Sequence, residues 1–226
     1  MPTERPQSRG RAPFGLSTGR VEAFSDGVFA IAATLLILNV HLPTSLSGGL
    51  ARALLALWPE VAVYAASFLT IGIMWLNHHA LFSRLAHVDR PLILLNLLLL
   101  MVISFIPFPT QVLGSHLGSG SDAHVAALFY LLNAILIGTG FSGVYVYAVY
   151  REGLLSPRFS RDAAKAALPW YALTLAAYAV CVPLAFISPV VVVLVIALVS
   201  VYYAFDRMPG PTATPSPAFP TGGREI

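Results

Sequence analysis

Long apolar runs separated by short polar segments organise the whole chain. Six runs fall at about 21–41, 57–80, 91–113, 124–150, 168–187 and 189–205. Each has roughly seventeen to twenty-seven residues, enough at about 1.5 Å rise per residue to cross a hydrocarbon core of about 30 Å. Inside a bilayer only helices and closed barrels satisfy their backbone, and these runs lack the period of two that a barrel strand requires. The pattern therefore predicts an all-α integral membrane protein with six transmembrane helices. Pro183 predicts a kink in the fifth, and Ser188-Pro189 leaves almost no loop, so the last two runs read as a tight hairpin or a broken helix.

The flanks differ sharply from the runs. Residues 1–19 carry three prolines, three glycines and three arginines without an apolar stretch, and read as a disordered basic leader. Residues 207–226, with five prolines, read as a disordered tail, which leaves 20–206 as a single six-helix domain. Twelve of the thirteen Lys and Arg residues lie in the leader or at its end (Arg20), in the second-to-third loop (Arg84, Arg90), in the fourth-to-fifth loop (Arg151, Arg158, Arg161, Lys165) or in the tail. Only Arg52 lies in a loop of the other set. The positive-inside rule then puts both termini in the cytoplasm, which an even number of spans requires.

Composition sharpens this reading. Hydrophobic residues make up 57% of the chain and charged residues 10%, far below the roughly 25% of a soluble domain. The net charge of +3 is scattered between the runs rather than gathered in a patch, which argues for topology and against a nucleic-acid partner. The single cysteine, Cys181, lies within an apolar run, so no intrachain disulfide can form and packing is its expected role.

The densest candidate chemistry opens the first run. Arg20, Glu22 and Asp26 stand within seven residues of one another, with Phe24 and Ser25 between them. Arg20 and Phe24 share a helical face and Asp26 points elsewhere, where it can meet a neighbouring helix. Two readings fit: Ser25 and Asp26 cap a helix N-terminus, or the acid pairs with another helix, because an intramembrane charge calls for a partner. Further along, Gly27, Ile31, Thr34, Leu35 and Leu38 follow i, i+4, i+7, i+8, i+11 and form one stripe, which fits helix packing or a pore wall.

The second run closes on Trp75-Leu76-Asn77-His78-His79, and Asn96 lies near the start of the third; by the topology above, all share the depth of Asp26. Adjacent histidines on a helix point about 100° apart, and no third ligand has defined spacing, so a metal site is not predicted. Gly138, Thr139, Gly140, Ser142 and Gly143 in the fourth run predict close helix packing. Thr70-Ile71-Gly72 lacks the loop and carbonyl signature of a potassium filter. No hydrolytic motif occurs, and the chain does not read as an enzyme.

At the first run the sequence resembles the transmembrane protein 175 family of potassium channels, whose hallmark is an arginine, three residues and then Phe-Ser-Asp. Arg20, Phe24, Ser25 and Asp26 match it, and the likeness continues through Gly27 to Ile31, through Thr34-Leu35, and in the tryptophan with paired histidines. The resemblance implies a potassium-permeable channel of the prokaryotic cell membrane, without a carbonyl filter and without a cofactor, potassium being the permeant ion. One repeat per chain implies a homotetramer surrounded by lipid, its pore walled by the first helices. A hydrophobic constriction is then expected at Ile31, Leu35 and Leu38, a threonine layer at Thr34, and Gly27 on the same stripe. Arg20, Phe24, Ser25 and Asp26 are expected in a network at the cytoplasmic mouth with Trp75, His78, His79 and Asn96. A proton-coupled secondary transporter or small-solute permease, relaying protons through Asp26 and the histidines, is the alternative.

Overall fold

The computed structural model describes residues 17–42, 49–118 and 120–204. Most of the predicted leader and all of the predicted tail lie outside the described residues. Thr18 and Gly19, read as leader, belong instead to the first helix, α1 (Thr18–Leu35), which ends in a 3-10 turn at Leu36–Asn39. The remaining helices are α2 (Leu50–Ala56), α3 (Trp58–Phe82), α4 (Arg90–Ser104), α5 (Pro107–His116), α6 (Ser121–Tyr150), α7 (Arg161–Ala166), α8 (Leu168–Ala185) and α9 (Pro189–Ala204).

Among the described residues five stretches are long and apolar enough to cross a membrane: Thr18–Asn39, Trp58–Phe82, Arg90–His116, Ser121–Tyr150 and Arg161–Ala185. The sixth predicted crossing is the shorter α9, whose 16 residues extend about 24 Å. The third crossing departs from the sequence reading. It runs past 113 to His116 and is broken between α4 and α5. Pro107 causes the break, since it has no N–H to continue the ladder, and Ile106 bonds to Ile103 O in a tightened turn instead.

Local chemistry fixes where several helices begin. The Asp89 carboxylate accepts from the backbone of Leu92 at 3.0 Å, and Ser160 Oγ accepts from Ala163 at 3.3 Å. Prolines 59, 91 and 169 occupy first-turn positions of α3, α4 and α8, where a missing N–H costs nothing. α8 and α9 form the tight hairpin, with Pro183 inside the last turns of α8.

α1 packs on α3 and α4; α6 packs on α4, α5, α8 and α9; α9 also packs on α3. One core fills the α1–α3–α4–α6 side around Phe29, Leu36, Phe82 and Ile103, and a second fills the α5–α6–α8–α9 side around Leu113, Leu131, Val192 and buried Cys181. Two small residues of α6 permit this packing, since a Cβ on Gly140 would lie 3.0 Å from Leu99 and one on Gly138 would lie 3.3 Å from Leu175, whereas one on Gly143 would meet nothing within 4 Å. Around the outside, large apolar side chains such as Leu69, Leu98, Val125 and Leu198 are exposed, as suits a lipid-facing perimeter.

Two loops meet at the Arg84 end. Leu85 and Leu155 form an isolated antiparallel bridge, Ala86 N donates to Leu154 O, and Ser156 N donates to Arg84 O. The loops that the basic residues assigned to one side of the membrane are thus joined to each other.

Candidate functional site

Ser25 and Asp26 lie two turns inside α1, so the capping reading is excluded. They point to two different neighbours. Asp26 Oδ1 accepts from Trp75 Nε1 at 2.7 Å, a charge-assisted bond from α1 to α3 on a half-exposed surface. Ser25 is fully buried; its hydroxyl donates to Val21 O at 2.9 Å and accepts from Asn96 Nδ2 of α4 at 3.0 Å.

His78 completes that buried chain. Its Nε2 lies 2.8 Å from Asn96 Oδ1, and because a carbonyl oxygen can only accept, Nε2 carries the hydrogen. The ring is enclosed by Phe29 of α1, Phe82 of α3 and Phe141 of α6, with centroids 5.3, 4.3 and 6.5 Å away. Ser25, Asn96 and His78 thus join three helices through polar atoms in an apolar core, where leaving any one unpartnered costs about 1–3 kcal/mol.

His79, one residue on, turns outward. It lies at 2.6 Å from Glu22 Oε1 of α1 and stacks on the Trp75 ring with centroids 6.4 Å apart. The Glu22 contact was not foreseen from the sequence, although the signal is present. Glu22 and Asp26 are four residues apart, as are Trp75 and His79, so two acids on one helix face meet an indole and an imidazole on the other.

Arg20 and Phe24 stand apart from this cluster. Both are exposed, and the Arg20 side chain has no hydrogen-bond or ion-pair partner among the described residues. Asn77, between the two working residues of α3, faces α9 and donates to Tyr203 O at 2.9 Å.

The predicted stripe lies on the opposite face of α1. Val21, Ser25, Phe29, Ala32 and Leu36 are buried against the bundle. Ile31 is 61% exposed, Leu35 41% and Leu38 65%, and a Cβ on Gly27 would meet nothing within 4 Å. Thr34, also exposed, donates its hydroxyl to Ile31 O at 3.0 Å, which leaves its oxygen lone pairs turned out from the helix. At the far end of the 3-10 turn Asn39 Nδ2 donates to Pro107 O at 2.7 Å, at the α4–α5 break. Among the described residues no group of three or more His, Cys, Asp or Glu side chains is placed to hold a metal ion.

Residues 20–107 match the family model described as the endosomal/lysosomal potassium channel TMEM175. The chain is 45% identical over 196 residues to a potassium channel of Streptomyces collinus, a match covering 86% of this chain and 95% of that one. It is 42% identical over 105 residues to the human endosomal/lysosomal proton channel TMEM175, covering 42% of this chain and 21% of that one. The fold superposes with a TM-score of 0.74 and 37% identity on the crystal structure of a lysosomal potassium-selective channel TMEM175 homolog from Chamaesiphon minutus, over 83% of this chain and 96% of the other. With its Arg20-x-x-x-Phe24-Ser25-Asp26 segment inside the matched region, this multi-pass membrane chain belongs to the TMEM175 family.

Proposed function

We propose that four copies of the chain assemble with α1 innermost and form a potassium-permeable pore. The observation that carries this reading is the division of α1 into two faces. One face is buried against α3 and α4 and is held by polar bonds; the other presents Ile31, Leu35 and Leu38 outward, each exposed. The relatives named as potassium channels supply the ion.

In this assembly Ile31, Leu35 and Leu38 form an apolar ring that excludes water, so the pore is closed by dewetting rather than by charge. Thr34 contributes four hydroxyl oxygens, and Gly27 leaves room at the Arg20 end. Both termini lie in the cytoplasm of a prokaryotic cell, the protein sits in the cell membrane, and lipid covers the outer helices. Asp26, Trp75, Ser25, Asn96 and His78 fix the orientation of α1, and Arg20 lines the cytoplasmic entrance instead of bonding within the subunit.

Single-channel recording in planar bilayers, with potassium on one side and sodium on the other, tests the reading. Ile31→Ala and Ile31→Asn raise conductance, and Thr34→Ala lowers the preference for potassium over sodium. Ile37→Ala, on a different face of the helix, leaves permeation unchanged. Unchanged conductance in both Ile31 variants alongside increased conductance in Ile37→Ala would show that another face lines the pore. Transport without unitary currents would favour a carrier.

A further inference from the structure

We propose that a cavity between α3, α6, α8 and α9 binds a small apolar molecule carrying a single hydroxyl group, of the short-chain alcohol class. The site lies within one chain and does not depend on the pore reading. α3 and α6 both pack on α9 yet barely meet each other, and the space between them is a cavity of about 70 Å³ with mostly apolar walls.

The polar groups on those walls are mostly committed. Ser142 Oγ donates to Gly138 O at 2.7 Å, Thr174 Oγ1 to Trp170 O at 3.0 Å, and Ser200 Oγ to Ile196 O at 2.9 Å, each back into its own helix. Asn77 Nδ2 is used twice, on Ile73 O and Tyr203 O. Those hydroxyl oxygens can still accept, but two groups have no partner at all among the described residues: Asn77 Oδ1, an acceptor, and the hydroxyl of buried Tyr178.

This pairing selects the occupant. One water needs about 10–15 Å³ and two to four polar partners, so in a cavity several times larger with mostly apolar walls the waters that would fill it are short of partners. A purely apolar guest would leave both groups unmet, at a desolvation cost. A hydroxyl on a short alkyl chain can donate to Asn77 Oδ1 or accept from Tyr178, and its carbons fill the remaining space. Being smaller than the roughly 150 Å³ cavity that takes benzene, the site suits a chain of about two to four carbons.

The probe is a short alkanol bearing a photoactivatable diazirine, applied to the full chain in detergent, with adducts mapped by peptide mass spectrometry. Saturable labelling is expected on Tyr178 or on cavity-facing residues of α6, displaced by 1-butanol and much less by 1-chlorobutane, which lacks the hydroxyl. Ser142→Leu and Val199→Phe fill the cavity from two different walls and abolish the labelling while elution on gel filtration stays as in the wild type. Tyr178→Phe, which keeps the shape, weakens displacement by 1-butanol about fivefold, as expected for one lost hydrogen bond. Adducts confined to lipid-facing Leu173 or Leu198, equal displacement by 1-chlorobutane, or undiminished labelling in every folded variant would overturn the proposal.

Discussion

Two buried polar trios, one in each half of the bundle, do similar structural work with different chemistry. Ser25, Asn96 and His78 link α1, α4 and α3. In the other half Ser67 Oγ lies 3.0 Å from Tyr130 Oη and accepts from Thr110 Oγ1 at 3.1 Å, linking α3, α6 and α5. The second trio is built only from hydroxyls, which can rotate to suit their partners. The first contains an amide and an imidazole, whose donors and acceptors are fixed in position, and it borders the Asp26–Trp75 and Glu22–His79 contacts. The fixed groups occur where α1 must hold one orientation. The adaptable ones occur where helices only need to pack.

The largest effect should come from breaking the rigid trio at its centre. Asn96→Leu strands the His78 Nε2 donor, while Ser25 loses an incoming bond but keeps its own to Val21 O, and should cost about 1–3 kcal/mol, read as a marked fall in melting temperature in detergent. Tyr130→Phe in the hydroxyl trio removes one bond while Ser67 and Thr110 keep each other, so a loss near 1 kcal/mol is expected in the same measurement. If Tyr130→Phe proved as damaging as Asn96→Leu, the distinction between rigid and adaptable trios would fail.

Smaller differences separate the residues around Asp26. Asp26→Ala leaves Trp75 Nε1 without its acceptor and should lower melting more than Asp26→Asn, which keeps an oxygen at the same place. Arg20→Gln should change melting least, since that side chain has no partner among the described residues, yet it should raise potassium conductance by removing a positive charge from the proposed entrance. A strongly destabilised Arg20→Gln protein would mean that the arginine is held by a contact made only in the assembly.

What the sequence made legible was what hydropathy and spacing encode. The crossings, the special character of Arg20 to Asp26, and the common depth of Trp75, His78, His79 and Asn96 could all be read before any coordinates. The break at Phe105-Ile106 could not, because hydropathy continues unbroken through Pro107 and only the local loss of an N–H ends the helix. Arg20 was grouped with its motif neighbours on the strength of the family resemblance, although helical spacing alone had put Arg20 and Phe24 on a face apart from Asp26. Glu22 was passed over for the opposite reason: its partner, His79, becomes evident only when the two i, i+4 pairs are set side by side. The Ser67–Thr110–Tyr130 trio left no signal, because three common hydroxyl residues separated by dozens of positions look like any others.

The bond from Asn39 to Pro107 gives α1 a second anchor, at the end opposite Asp26 and Trp75. A shaft fixed at one end can spin; fixed at both, it cannot turn about its own axis without releasing a bond at each. Twisting α1 about its own axis within the protomer would sacrifice both anchors at once, whereas moving the protomer as one body would sacrifice neither.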